Sequence, residues 1–243
     1  ASNSLLLGLL SAATTLNGKC ANIFPVIFLR EAVNSLLMAL TQHADKYRNA
    51  EFIRWDKDQL VQILTSRIAF NRAGQAAGPV NDLFLSVFPE TVGTSNTVNW
   101  LVDRTLNRPR ELLQLVRAYT ENVDSIEPSD AALKAAEVGY SAWKLTDLCS
   151  EFSNQYPNLY VFFAAWRSHF PRQAYHLRRD DLDEVIMSLL TASEINEPWF
   201  NEIVENTDVA KMITILYEIG LLGDYVAGGA GGGARTHYAF QEV

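Results

Sequence analysis

The residues best suited to chemistry in this chain are two arginines set about a proline, in Asn107-Arg108-Pro109-Arg110-Glu111-Leu112-Leu113. Proline fixes φ near the helical value and has no N–H, so it suits the first turn of a helix, where that donor lacks an intrahelical partner. A helix is therefore predicted to begin at Arg108 or Pro109. Leu112, Leu113, Leu115, Val116 and Tyr119 fall on one broad face at helical spacing, and burying that face holds both guanidiniums at the N-terminal end. Free N–H groups and the helix dipole attract anions there, and planar guanidiniums match phosphate and carboxylate oxygens. The chemistry on offer is anion sensing. The competing assignment is a solvated helix start with Arg110 or Arg117 paired to Glu111 or Glu121, and surface pairs of that kind contribute little.

A second basic residue stands at the end of an apolar run. Ile23 to Leu29 is continuous, rich in branched and aromatic side chains, and bounded by Asn22 and Arg30. That pattern predicts a strand buried on both faces, as in parallel sheets covered by helices. Ligands of such sheets meet the carboxyl ends of the strands, where Arg30 and Glu31 stand.

Phe24-Pro25-Val26-Ile27-Phe28-Leu29-Arg30-Glu31 and the Arg108-Pro109-Arg110 helix start together resemble the back half of a bacterial P-loop ATPase of the STAND/KAP-like kind. The likeness runs over roughly residues 4–125 by order of elements. It implies that Arg30 corresponds to a sensor arginine and Arg108 or Arg110 to a lid arginine, both facing nucleotide phosphates. Ala32 departs from the family, whose members often carry an acidic residue near this point. The hydrolytic parts are missing as well. Gly18-Lys19 is preceded by Ala13 where a phosphate loop needs glycine, and Cys20 replaces the hydroxyl that would hold Mg²⁺. Gly18 is instead predicted to be a left-handed helix cap. No apolar run ends in the acidic pair that would hold a metal and polarise water. The chain alone is expected to use no cofactor, with ATP and Mg²⁺ engaged only beside a missing N-terminal segment.

The elements that position these residues can be read from composition and spacing. With 243 residues, 48% of them hydrophobic, the chain can bury a sizeable core. Its net charge of −8 argues against broad nucleic-acid binding. Cys20 and Cys149 are too far apart for a metal spacing or disulfide framework, which suits a reducing cytoplasm. Residues 4–13 are apolar but too short to span a bilayer, and predict a buried helix capped by Ser2, Asn3 or Ser4. No membrane partner is expected. A helix over 33–47, a strand over Glu51 to Trp55 and an Asp56-capped helix from Lys57 to Phe70 follow.

A glycine- and alanine-rich loop then marks a junction. The expected division is a partial α/β segment over 1–75, a helical lid over 76–125, and a helical, winged-helix-like domain over 126–243. Helices are predicted over Val80 to Phe88, Ser95 to Leu106, Pro109 to Asn122, Ala131 to Phe152 and Leu159 to Phe170. The stretch from Arg167 to Arg179 is the one basic cluster with interleaved aromatics, and Arg172, Arg178 and Arg179 are its candidate nucleic-acid contacts. Asp180, Asp181, Asp183 and Glu184 offset it, favouring a solvated turn. Near the end, a helix from Val209 to Ile219, a strand through Val226, a glycine-rich tip and a returning strand spell the end of a winged helix, with Arg235 on the wing.

The expected fold is mainly α, with remnant α/β nucleotide-domain elements, a helical lid and a terminal β-hairpin. The expected function is the regulatory lid and partner-coupling part of a P-loop ATPase, inactive alone, whose partner is the rest of the ATPase domain or another protein. The alternative is a winged-helix DNA-binding module. No catalytic constellation or metal set accompanies either.

Overall fold

A computed structural model of the chain describes residues 2–29, 33–34, 37–38, 51–72, 79–123, 127–170, 176–226, 228 and 235–239. The chain divides into one unit of residues 1–54 and a second of residues 55–243. The described residues are mainly helical, with two small antiparallel hairpins.

The first unit opens with α1, Ser2–Lys19. The hydroxyls of Thr14 and Thr15 donate to the carbonyls of Leu10 and Ser11, four residues back, which keeps them compatible with a helix interior. The Cys20 N–H still bonds the Leu16 carbonyl at 2.9 Å, so the helical ladder runs past Gly18. Gly18 is therefore an ordinary last-turn residue and not the left-handed cap expected of it.

Two predicted strands are corrected here. Ile23 to Leu29 forms no strand, and Phe24, Val26 and Phe28 are 77%, 73% and 80% exposed. Residues 51–55 form none either, with Ile53 exposed. A strand exists by pairing its backbone with a neighbour, and among the described residues of this unit none is paired. Residues 33–34 and 37–38 are helical, in line with the predicted helix over 33–47, most of which lies outside the described residues.

The second unit holds two hydrophobic cores. Helix α2, Lys57–Asn71, begins with a reciprocal capping box: the Asp56 carboxylate accepts from the Gln59 N–H at 2.8 Å, and the Gln59 side chain accepts from the Asp56 N–H at 3.1 Å. Helix α3, Val80–Leu85, leads to a hairpin of β1, Thr91–Val92, and β2, Ser95–Asn96, turned at Gly93. Helix α4 spans Thr97–Arg104, α5 Pro109–Glu121 and α6 Asp130–Glu151. Side-chain oxygens of Asn96 and Ser129 cap α4 and α6. Leu60, Phe88, Leu101, Leu115, Tyr119 and Leu133 centre the first core. This core takes residues from both sides of positions 75 and 125, the two expected domain boundaries.

Helices α7, Leu159–His169, α8, Arg179–Ala192, α9, Pro198–Asn206, and α10, Val209–Glu218, build the second core around Phe162, Ile186, Leu189, Phe200, Met212 and Leu216. After α10 the chain stops as the sequence predicts, at Gly220 with φ 82°. The Gly220 N–H bonds the Tyr217 carbonyl at 2.9 Å and the Leu221 N–H bonds the Leu216 carbonyl at 2.9 Å, the double bond of a Schellman ending. Strand β3, Asp224–Val226, then pairs antiparallel with β4, Arg235–His237. The terminal hairpin expected from the sequence is present, shorter than foreseen.

A candidate anion-binding cleft

Helix α5 starts where the proline dictates. Pro109 occupies its first turn and Arg108 is the extended N-cap residue. The two arginines around it have separate surroundings. The Arg108 guanidinium donates to Glu111 at 3.1 Å and to Glu151 at 3.3 Å. Arg110, with its side chain 76% exposed, reaches Asp147 at 3.0 Å and lies 5.7 Å from the Trp143 ring centre.

Glu111 is the hub of this junction. Its side chain is buried, yet it is compensated on both oxygens: Oε1 accepts from Arg108 and from Lys144 at 2.5 Å, and Oε2 accepts from the Tyr140 hydroxyl at 3.2 Å. A carboxylate so enclosed needs partners of this kind, since desolvating an unpaired charge is costly. The same hydroxyl donor reaches the Arg104 carbonyl at 3.1 Å. Burial first, and the nearby Glu111 charge second, hold the Tyr140 phenol well above its ordinary titration range. The junction thus locks α5 to α6, and Arg108 is spent on it.

The face of α5 turned toward α2 is different. Arg110, Leu113, Gln114, Arg117 and Thr120 recur at helical spacing and, with Arg67 and Arg72 of α2 and its C-cap, line a cavity of roughly 790 Å³. Among the described residues, four guanidiniums and no carboxylate line it. Arg117 is held by Glu121 at 2.9 Å, an exposed pair one helical turn away. Arg72 donates to the Ser86 carbonyl at 3.4 Å, and Arg67 has no ion-pair partner among the described residues. Arg110 is the one residue of the cleft that sequence reasoning singled out for anion sensing. Arg117 was legible beside it, because residues seven apart share a helix face. Arg67 and Arg72 were not, because only the packing of α2 on α5 brings them near.

The other sequence candidates lie elsewhere. Arg30 and Arg172 are outside the described residues. Arg178 is the N-cap residue of α8 and Arg179 pairs with Asp183 at 3.0 Å, both exposed; residues 171–175 of the predicted solvated turn lie outside the described residues. Arg235 opens β4. Among the described residues no group of His, Cys, Asp and Glu is arranged to hold a metal ion, and no helix is long and apolar enough to cross a membrane.

Residues 58–149 match the model of a family described as the FunZ-associated C-terminal helical domain. That segment coincides with α2 to α6, the helices of the first core and of the cleft. The chain is also similar to the putative transposon gamma-delta 80.3 kDa protein of Escherichia coli strain K12, 26% identical over 231 residues, covering 90% of this chain and 32% of that protein. It therefore spans about a third of that curated relative. No solved structure matches.

Proposed function

We propose that this chain is the C-terminal regulatory lid and partner-coupling part of a larger P-loop ATPase and does not turn over ATP by itself. The observation that carries this reading is the exposure of Phe24, Val26 and Phe28 in a segment whose composition is that of a strand buried on both faces. Three large apolar side chains at alternate positions, left in water, forgo roughly 1.5–3 kcal/mol each relative to burial. A sheet supplied by the rest of an ATPase domain would cover them and satisfy the backbone at once. Similarity to a domain described as C-terminal and helical, and to about a third of a longer protein, agrees with such a place in a chain.

The alternative, a winged-helix DNA-binding module, draws on α10 and the β3–β4 hairpin. Helix α10 has one cation, Lys211, and Glu202 holds it at 2.7 Å, so the helix that would approach DNA offers little positive charge.

The test is hydrogen exchange on residues 23–29, in this chain and in the longer protein with its nucleotide-binding segment, alongside ATP turnover. Amides of 23–29 should exchange freely here and be protected there, and Phe24→Ser with Phe28→Ser should cut turnover of the longer protein while leaving the melting temperature of this chain unchanged. Free exchange of 23–29 in the longer protein would sink the reading.

A further inference from the structure

The cleft between α2 and α5 has no part in the docking just described, and it carries an inference of its own. We infer that it is a binding site for a small phosphate-bearing ligand with an apolar body, of the nucleoside polyphosphate class. The first support is charge. The chain as a whole stands at −8. Among the described residues the cleft lining holds four arginines and no acid, and the carboxylates that reach these arginines, Glu121 and Asp147, still leave a surplus of two positive charges. Local charge opposed in sign to the whole molecule marks where an anion is drawn in.

The second support is availability. The Arg117–Glu121 and Arg110–Asp147 pairs have arginine side chains 70% and 76% exposed. The Arg117–Glu121 pair is exposed on both sides and therefore weak, so a phosphate can take over that guanidinium at little cost, while Arg110 stays within reach although its partner Asp147 is only 19% exposed. Planar guanidiniums engage phosphate oxygens in bidentate fashion, which an acidic side chain cannot exploit at several points at once.

The third support is shape. A cavity of roughly 790 Å³ lies inside the range of small-molecule sites, about 300–1,000 Å³. Leu64, Ile68, Leu113 and Val116 give it an apolar wall beside the arginines. The ligand that satisfies both surfaces has a polyanionic end and an apolar end. The acids at the edge disfavour a long polyanion running on beyond the cleft.

The inference does not rest on the ATPase reading, since every residue that lines the cleft lies between Leu64 and Thr120. It is tested by calorimetric titration of the 243-residue chain with ATP, pyrophosphate, adenosine and a single-stranded oligodeoxythymidine, at about 50 and about 200 mM salt. ATP should bind more weakly at the higher salt, pyrophosphate should compete with it, and adenosine alone should bind least. Arg67→Ala combined with Arg117→Ala should weaken ATP binding about 100-fold, two charge-assisted contacts being lost, with an unchanged thermal melt. Absence of ATP binding, or equal binding by the double variant, overturns the site. An oligonucleotide bound more tightly than ATP overturns the small-ligand assignment and makes the cleft a nucleic-acid groove.

Discussion

The Lys144 ammonium lies 2.5 Å from the Glu111 carboxylate, and neither side chain is more than 15% exposed. Attraction at that distance and depth offsets the cost of taking both charges out of water only while both are present. Glu111→Ala should therefore cost about 3 kcal/mol of stability, because Lys144 and Arg108 would be left facing each other without their shared anion. Glu111→Leu combined with Lys144→Leu should recover much of that loss, an apolar pair being an acceptable substitute for an enclosed ion pair. Urea unfolding of the two variants measures the difference. Equal midpoints would show that the pair is not coupled.

The two arginines around Pro109 should separate in the same assay. Arg108 bridges Glu111 and Glu151 across the α5–α6 junction, so Arg108→Ala should destabilise the chain by about 1–3 kcal/mol. Arg110 is largely exposed, with Asp147 as its ion-pair partner among the described residues, and Arg110→Ala should cost less than about 1 kcal/mol. The reverse order would mean that the cleft arginine is a structural member and Arg108 is not.

A pH dependence follows from Tyr140. Burial, then the Glu111 charge, raise its folded-state titration point above the ordinary value of about 10. The folded state therefore holds this proton more tightly than the unfolded state. Its contribution to stability is fully present below about pH 10 and is lost as the pH rises through the raised folded value. Tyr156 is shifted in the same direction, by burial first. Tyr140→Phe should lower stability near neutrality by about 1 kcal/mol, through the lost hydrogen bond to Glu111, and should shallow the alkaline decline without abolishing it. Chemical unfolding from pH 7 to 11 reads both effects, and an unchanged alkaline slope would contradict the shift.

Most helices of the second unit were legible because their signals are local. Pro109 sets the start of α5, Asp56 and Ser129 cap α2 and α6, and Gly220 ends α10, each through bonds within a few residues. Trp100 and Leu101 are buried as their spacing predicted. The strands over 23–29 and 51–55 were misread because an apolar run states only that a segment wants cover, and pairing depends on a partner elsewhere. Helices α8 and α9 went unassigned beyond the basic run, although Pro198 in the first turn of α9 and Asp180 and Asp181 in the first turn of α8 are start signals. The β1–β2 hairpin leaves no such signal, since two-residue strands have almost no alternation to detect. For the candidate site, the charges of Arg110 and Arg117 were visible on one helix face and those of Arg67 and Arg72 were not. Arg67 sits in a helical stripe that reads as core, and only the crossing of α2 and α5 turns it toward the same space.

Helix α6 has its Leu133, Ala136 and Tyr140 in the first core and its Leu148 in the second. At 22 residues it is a rod about 33 Å long, clamped near both ends. A tilt imposed by an occupant of the cleft, through α5 and the Glu111 junction, would be handed along that shaft to the α7–α10 assembly as displacement instead of being absorbed by a hinge.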